Sequence, residues 1–390
     1  MNFTKADRLN HYKTGIFAAL DEKKNKMISE GKKVYNLSVG TPDFAPPQHI
    51  MNALIDAAKV PENYKYSLID LPELRKAVCN YYKNRFGVAD LLPDEVISVH
   101  GTQEGMGHLG LALTNPDDVV LLPNPGYPAF ECGAYFGQAK VYYYNLTEEN
   151  DFLPKMSEIP EDVLYKTKYM VVSYPSNPVC AVAPVSMYEE LIEYAKKYSF
   201  IIVNDNAYSD IIFDGNEGFS FMSLEGAKDV GVEFFSLSKS FNVTGARISF
   251  LVGNKSVVDA LDLMRTQYNF GMFYPIQYAA IAALEGPRDS VIEQCAEYQR
   301  RRDALCGGLR RIGWDVKDSK GTMFAFVKIP KKFKSTAEFC DELLSKTGVL
   351  CTPGTAFGSM GEGYVRFALV KTVSEFEEIV DIIDKSGILK

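Results

Sequence analysis

Lys239 stands in the run Ser236-Leu-Ser238-Lys239-Ser-Phe-Asn-Val-Thr-Gly-Ala-Arg247, directly after an apolar stretch that reads as a buried strand. A lysine at the carboxyl end of such a strand faces the crevice in which open α/β sheets bind ligands. There a primary amine can attack a carbonyl carbon and hold a ligand covalently, provided its surroundings keep it from being fully charged. Taken singly, a Ser-x-Ser-Lys run is weak, because most loop lysines are solvated surface charges. Its company gives it weight.

Asp205 closes the stretch Phe200-Ile-Ile-Val-Asn204 and opens Asp205-Asn-Ala-Tyr208. An aspartate in that place is a common helix cap. A buried one can also keep a heteroaromatic ring nitrogen protonated, which makes the ring an electron sink. Tyr208 and Asn177, the latter in Pro175-Ser-Asn177-Pro178, can hydrogen-bond a phenolic oxygen, although Asn-Pro is also a plain turn signal and a tyrosine can simply be core. The segment Val96-Ile-Ser-Val-His-Gly101-Thr102-Gln103-Glu-Gly105 reads as strand, tight turn and helix, whose free amides bind an anion. Thr102 and Gln103 add donors, while Arg247 and Ser236 supply the other half of the cradle, since a guanidinium fork matches phosphate oxygens. Tyr127, in Asn124-Pro-Gly-Tyr127-Pro-Ala-Phe130, offers an aromatic face suited to stacking on a flat ring, or to plain packing. Arg366 lies inside the apolar stretch Tyr364-Val-Arg366-Phe-Ala-Leu-Val370. A buried arginine is paired, either with an acidic side chain or as a bidentate clamp on a carboxylate ligand.

These side chains need a scaffold. Short apolar runs alternate with helical stretches through the middle of the chain, the pattern of βαβ units. Strands are expected at 96–100, 119–122, 140–144, 169–173, 200–203, 233–237 and 248–252, with helices at 103–113 and 185–197 among those between. The sum is an α/β fold: a mostly parallel, seven-stranded, doubly wound sheet in a large unit over residues 40–285. The character then changes. A charged helical stretch at 290–311, strands at 323–327 and 364–369, and a helix at 336–346 make a smaller α+β unit from residues 286–390. Residues 1–39 are expected to join it, with an amphipathic helix over 13–29.

Composition narrows the function. The 390 residues carry a formal charge of −8, with no basic block to attract nucleic acid. No apolar run approaches the roughly 20 residues that span a bilayer, and the charged amino-terminal region is unlike a secretory signal. Seven scattered cysteines without a Cys-x-x-Cys pair suit free thiols in a reducing compartment, the cytoplasm. Four histidines without metal-ligand spacing argue against a metal enzyme. There is no internal repeat.

In order and spacing, these segments resemble the class I/II aminotransferases of pyridoxal 5′-phosphate (PLP) fold type I, the aspartate aminotransferase superfamily. The resemblance covers nearly the whole chain and rests on Gly40-Thr-Pro-Asp-Phe44, Gly101–Gly105, Asn124–Tyr127, Pro175–Pro178, Asp205–Tyr208, Ser236–Arg247, Pro353-Gly-Thr-Ala-Phe-Gly358 and Arg366. It implies that Lys239 forms a Schiff base with PLP and later acts as general base, that Asp205 pairs with the pyridine nitrogen, and that Asn177 and Tyr208 bind the phenolic oxygen. Gly101, Thr102, Gln103, Ser236, Ser238 and Arg247 then belong to the cofactor site with Tyr127, and Arg366, Gly40 and Asn177 to the substrate carboxylate. It further implies a homodimer in which Tyr66, or else Tyr64, reaches the neighbouring subunit's phosphate, and amino acids and 2-oxo acids as substrates. The substrate's side-chain pocket is expected from loops and the partner subunit, for instance around residues 265–274. Val179-Cys180 replaces the family's usual Thr-Gly, Asn206 a frequent glutamate, and Asp70 a typical glycine. A PLP-dependent C–S β-lyase uses the same cofactor residues and is the competing reading, with a non-enzymatic PLP-fold ligand sensor further off.

Overall fold

The computed structural model describes residues 3–12 and 16–390. Its amino-terminal part holds helix α1 (Ile16–Ser29), strand β1 (Tyr35–Asn36), helix α2 (Gln48–Ala58) and helix α3 (Pro72–Phe86). Positions 13–15 of the expected first helix lie outside the described residues. There follow β2 (Val96–Val99), α4 (Thr102–Leu113), β3 (Val119–Asn124), α5 (Phe130–Phe136), β4 (Lys140–Asn145), β5 (Thr167–Val172), β6 (Ile201–Asp205), β7 (Gly231–Ser236) and β8 (Ser249–Gly253). These are the seven expected strands, and they form one sheet in the order β2-β8-β7-β6-β5-β3-β4. Only β8 is reversed, antiparallel to both β2 and β7.

The strands in the middle of this sheet are mostly apolar because both of their faces are covered. In β5, Met170 and Val172 join one apolar core, with Leu74, Val78 and Leu191, while Tyr169 and Val171 join another, with Met106, Leu109 and Phe130. Alternate side chains of a strand point to opposite faces, so one continuous run feeds both cores. α4 and α5 cover the second face; α3 and the helix Val185–Tyr198 cover the first.

A third core is built around β9 (Phe324–Lys328), β10 (Val349–Leu350), β11 (Thr352–Pro353) and β12 (Tyr364–Ala368). The antiparallel sheet runs β11-β12-β9, and β1 pairs in parallel with β10 through Tyr35↔Val349 and Asn36↔Leu350. That pairing carries the chain from Leu37 to Gly40 along the edge of the smaller sheet and across the carboxyl ends of the large one. The charged stretch after Arg288 forms a helix, Asp289–Arg302, in which Arg301 and Arg302 are buried rather than solvated. Each is neutralised from afar, Arg301 by Asp43 at 2.8 Å and Arg302 by Asp214 at 2.7 Å.

Candidate active site

The carboxyl ends of β6 and β7, the turn before α4, and Arg366 of β12 meet at one cavity of about 380 Å³. Thirteen residues singled out from the sequence line it: Gly40, Gly101, Thr102, Gln103, Tyr127, Asn177, Asp205, Tyr208, Ser236, Ser238, Lys239, Arg247 and Arg366. Val39, Thr41, Ser173 and Phe324 line it too; Thr41 belongs to the Gly40–Phe44 motif, and the other three were not singled out from the sequence.

Lys239 sits in a single helical turn, Leu237–Ser240, whose start is capped by Ser236: its hydroxyl accepts from the Ser238 amide at 3.2 Å. The lysine Nζ donates to the Gly40 carbonyl at 2.9 Å. Burial brings its pKa down to about 8, and the positive charges of Arg366 and Arg247 act in the same direction, with Asp205 opposing. The turn is tied down behind the lysine. Ser240 Oγ donates to Asp210 Oδ2 at 2.7 Å, and the Asp210 carboxylate also receives Arg85 at 3.2 Å and Arg288 at 2.6 Å. Gln294 Nε2 donates to the Lys239 carbonyl at 2.7 Å.

Asp205 is buried, and burial pushes its carboxyl up to about 7; the Ala207 amide and Lys239 act against that, and the Glu233 carboxylate reinforces it. Its Oδ1 is a buried acceptor without a hydrogen-bond donor. A buried acceptor in that state costs on the order of 1–3 kcal/mol, so a cationic N–H donor placed there is strongly favoured.

The anion cradle is equally specific. Gly101 has φ of 87°, and a Cβ on it would lie 2.3 Å from Arg247 Nη2. The backbone conformation therefore calls for glycine, and a side chain there would also push the end of the Arg247 side chain aside. Thr102 and Gln103 begin α4 with their amides free of the helix ladder. Thr102 Oγ1 donates to Ser249 Oγ at 3.2 Å, and Arg247 Nη1 is held by the Thr244 carbonyl at 3.0 Å.

Arg366 is buried, with its guanidinium 4.1 Å from the centre of the Phe324 ring and 4.6 Å from that of Phe357. Nη1 donates to Asn177 Oδ1 at 2.8 Å and Nη2 to the Ser38 carbonyl at 2.9 Å. Burial lowers its pKa to about 10, which still leaves it cationic at neutral pH. Because Asn177 spends its oxygen on Arg366, its amide nitrogen is turned the other way, as a donor.

Tyr66 is not among the residues lining this chain's cavity. It is 84 % exposed, edge-on to Phe270 at 6.3 Å. The Tyr64 hydroxyl is bonded within its own chain, to the Ala58 carbonyl at 2.9 Å. None of residues 265–274 lines the cavity either. Arg265 at the head of that run is buried against Asp70 at 2.7 Å, and Asp70 also accepts from the Ser98 amide and hydroxyl. The departure at Asp70 thus has a structural reason. Cys180, by contrast, keeps a left-handed φ of 59°, the conformation that favours the glycine usual at this position, and nothing in the backbone explains the cysteine.

A family model described as aminotransferase class I and II matches residues 32–383. The chain belongs to the class I and II aminotransferases. It is 42 % identical over 385 residues to an LL-diaminopimelate aminotransferase of Halothermothrix orenii, with 98 % of both chains covered. It is 41 % identical over 383 residues to the enzyme of that name from Aquifex aeolicus, again covering 98 % of each. Among solved structures, substrate-bound BacF from Bacillus subtilis superposes with a TM-score of 0.94 at 34 % identity, covering 99 % of this chain and 98 % of that one. A probable N-succinyldiaminopimelate aminotransferase from Thermus thermophilus gives 0.90 at 32 % identity, covering 95 % and 100 %. The protein is a PLP-dependent aminotransferase, and neither relative is named for a lyase. The residues present fit that cofactor. The orphaned Asp205 oxygen matches a protonated ring nitrogen, and the Gly101 turn with Arg247 matches a phosphate.

Proposed function

We propose that this aminotransferase takes its amino group from LL-diaminopimelate, with Lys239, Asp205 and Arg366 as the residues that carry the reaction. The observation that carries the assignment of roles is the convergence of a depressed lysine, an unsatisfied buried carboxylate and a buried arginine on one 380 Å³ cavity. The names of relatives alike over 98 % of the chain supply the donor.

PLP, when bound, supplies an aldehyde for covalent attachment and a ring that disperses the electron pair left when the substrate's α-proton is removed. Lys239 Nζ, brought down to about 8, is neutral often enough near physiological pH to serve as nucleophile. The same atom, once released, takes the α-proton and returns it. With the cofactor bound, Asp205 Oδ1 would hold the proton on the ring nitrogen, and Asn177 and Tyr208 would donate to the phenolic oxygen. Gly101, Thr102, Gln103, Ser236, Ser238 and Arg247 would hold the phosphate, and Tyr127 would lie against the ring. Arg366 grips the α-carboxylate with Asn177 and the Gly40 segment.

A homodimer belongs to this reading. Tyr64, Tyr66, Leu68, Ile69, Phe270 and Phe273 are exposed where the 60–70 segment meets the 268–273 loop, tied by the Gly271 amide to the Ser67 carbonyl at 2.6 Å. An apolar surface of this kind favours a cover, and a second copy is the simplest one. Tyr35 and Leu37 share an apolar core with Tyr298, Leu309, Phe367 and Ile383, which supports 1–39 with 286–390 as one unit beside 40–285, although Cys180, Tyr208, Ile211 and Phe213 of the larger unit join that core too. Seven free cysteines support a cytoplasmic location, and among the described residues no helix is long and apolar enough to cross a membrane.

The test is a half-reaction screen in which purified holoenzyme is mixed with single amino acids and followed by its visible spectrum. LL-diaminopimelate is expected to convert the bound cofactor to its amine form fastest. Rapid conversion by another amino acid, with LL-diaminopimelate inert, would reject the substrate assignment and leave the residue roles standing.

A further inference from the structure

Glu233 lies in the middle of β7, three residues before Ser236, and its carboxyl group is completely buried. An apolar strand has no local use for an acid, and removing a carboxylate from water is expensive unless every lone pair is engaged. Here each is engaged. Oε1 accepts from Tyr82 Oη at 2.9 Å and Ser220 Oγ at 2.8 Å, and Oε2 accepts from Asn204 Nδ2 at 2.9 Å and the Phe221 amide at 2.8 Å. The Ser220 oxygen already accepts from the Met222 amide at 3.0 Å, so its own proton points at Glu233. Four donors, two on each oxygen, are what an ionised carboxylate takes. Burial pushes the group above the ordinary carboxylate range, and the donors oppose it; with a donor at every position, the anion is the form this geometry holds. Among the described residues no lysine or arginine pairs with it. The titratable side chains that face it are the Asp205 carboxyl and two phenols, Tyr82 directly and Tyr188 through Asn204, both phenols pushed upward by burial and so neutral.

Its position in the sheet gives this anion a use. β6 and β7 are parallel with Asn204 opposite Glu233 and Asp205 opposite Phe234. Glu233 therefore grips the side chain immediately before Asp205, while Tyr188 Oη holds the other end of the same amide at 2.9 Å.

We infer that Glu233 is a positioning residue for amino transfer: its buried charge fixes the end of β6 and makes Asp205 a stronger partner for the protonated ring nitrogen of the cofactor. This rests on the reading that Asp205 faces that nitrogen. The upward push of Glu233 on the Asp205 carboxyl supports it.

The experiment compares wild-type holoenzyme with Glu233→Gln, Tyr82→Phe and Asp205→Asn. For each it measures the pH midpoint of the visible absorption change, the affinity for PLP and the thermal stability of the apoenzyme. Glu233→Gln keeps the shape and removes the charge, so cationic forms of the site lose support and the midpoint falls, by about 0.5 pH unit or more. Tyr82→Phe removes one bond and keeps the charge, so its midpoint stays with the wild type even if the apoenzyme melts earlier. A midpoint unmoved in Glu233→Gln but shifted in Asp205→Asn overturns the inference and makes Glu233 a purely structural anion. If Asp205→Asn also leaves the midpoint where it was, the role of Asp205 fails and this inference fails with it. Should Glu233→Gln yield no holoenzyme, Glu233→Met, apolar and of similar length, must show the same fall.

Discussion

Lys239 and Asp205 are ionisable groups that the fold holds away from their ordinary protonation states, one pulled down and the other pushed up. For Asp205 this has a measurable consequence in the apoenzyme. Its folded-state pKa of about 7 lies above the unfolded value of 3.8, so the folded protein binds the extra proton between those limits. Stability contributed by that proton is present below about pH 4 and is lost as pH rises through about 7, by at most about 4 kcal/mol. Apo Asp205→Asn lacks this loss. Its melting temperature is expected to overtake that of the wild type as pH rises from 5 to 8; parallel curves would show that Asp205 is not held in this state. For the holoenzyme, the same substitution should slow turnover about 100-fold or more, through loss of one electrostatic partner of the transition state. Arg366→Ala is expected to raise KM for every α-amino acid while PLP remains bound. An apoenzyme that no longer takes up PLP would instead make Arg366 a structural residue of β12, the central strand of the smaller sheet. Most of the site was legible at this scale, because a lysine, an aspartate and an arginine at the ends or inside apolar strands are chemically conspicuous. Asp210 and Glu233 were not. Their partners lie 125 and 78 residues away for Asp210, and 151 for the Tyr82–Glu233 bond, and nothing local announces those partners, even for an acid standing inside an apolar strand.

At the scale of elements, the seven strands and the division between their two covered faces follow from continuous apolar runs, which is why they could be read in order along the chain. The reversal of β8 could not, since an antiparallel strand between covered faces is as apolar as a parallel one. Equally hidden was the tie between β1 and β10, two strands of two residues each and too short to show a period. The turn before α4 shows what an element contributes to chemistry. Gly101 combines a left-handed φ with closeness to Arg247, so Gly101→Ala strains the turn and pushes the guanidinium aside. Affinity for PLP should fall by about 10-fold or more, on the scale of one charge-assisted contact. Affinity for pyridoxal, which lacks the phosphate, should change little. An equal loss for both ligands would mean that the turn serves the fold and not the anion.

At the scale of the whole molecule, the cavity of one chain and the tyrosine exposed beside it belong to a single question. Tyr66 projects 84 % exposed from the 60–70 segment, close to Phe270, while Tyr64 has already spent its hydroxyl on its own backbone. In the proposed dimer this phenol completes a neighbour's site, not its own. If so, Tyr66→Ala and Lys239→Ala damage opposite sites of a dimer. Each homodimer would be strongly impaired, since every one of its sites carries the defect. Mixed in equal amounts under refolding conditions, the two variants form about one half hybrid dimers, and each hybrid has one site with both defects and one with neither. Activity should then return to about one quarter of the wild-type value. Recovery requires that the two residues act in different sites across the interface. If the mixture stays at the level of its parents while sedimentation shows hybrid dimers, Tyr66 serves its own subunit, and the shared-site arrangement is wrong.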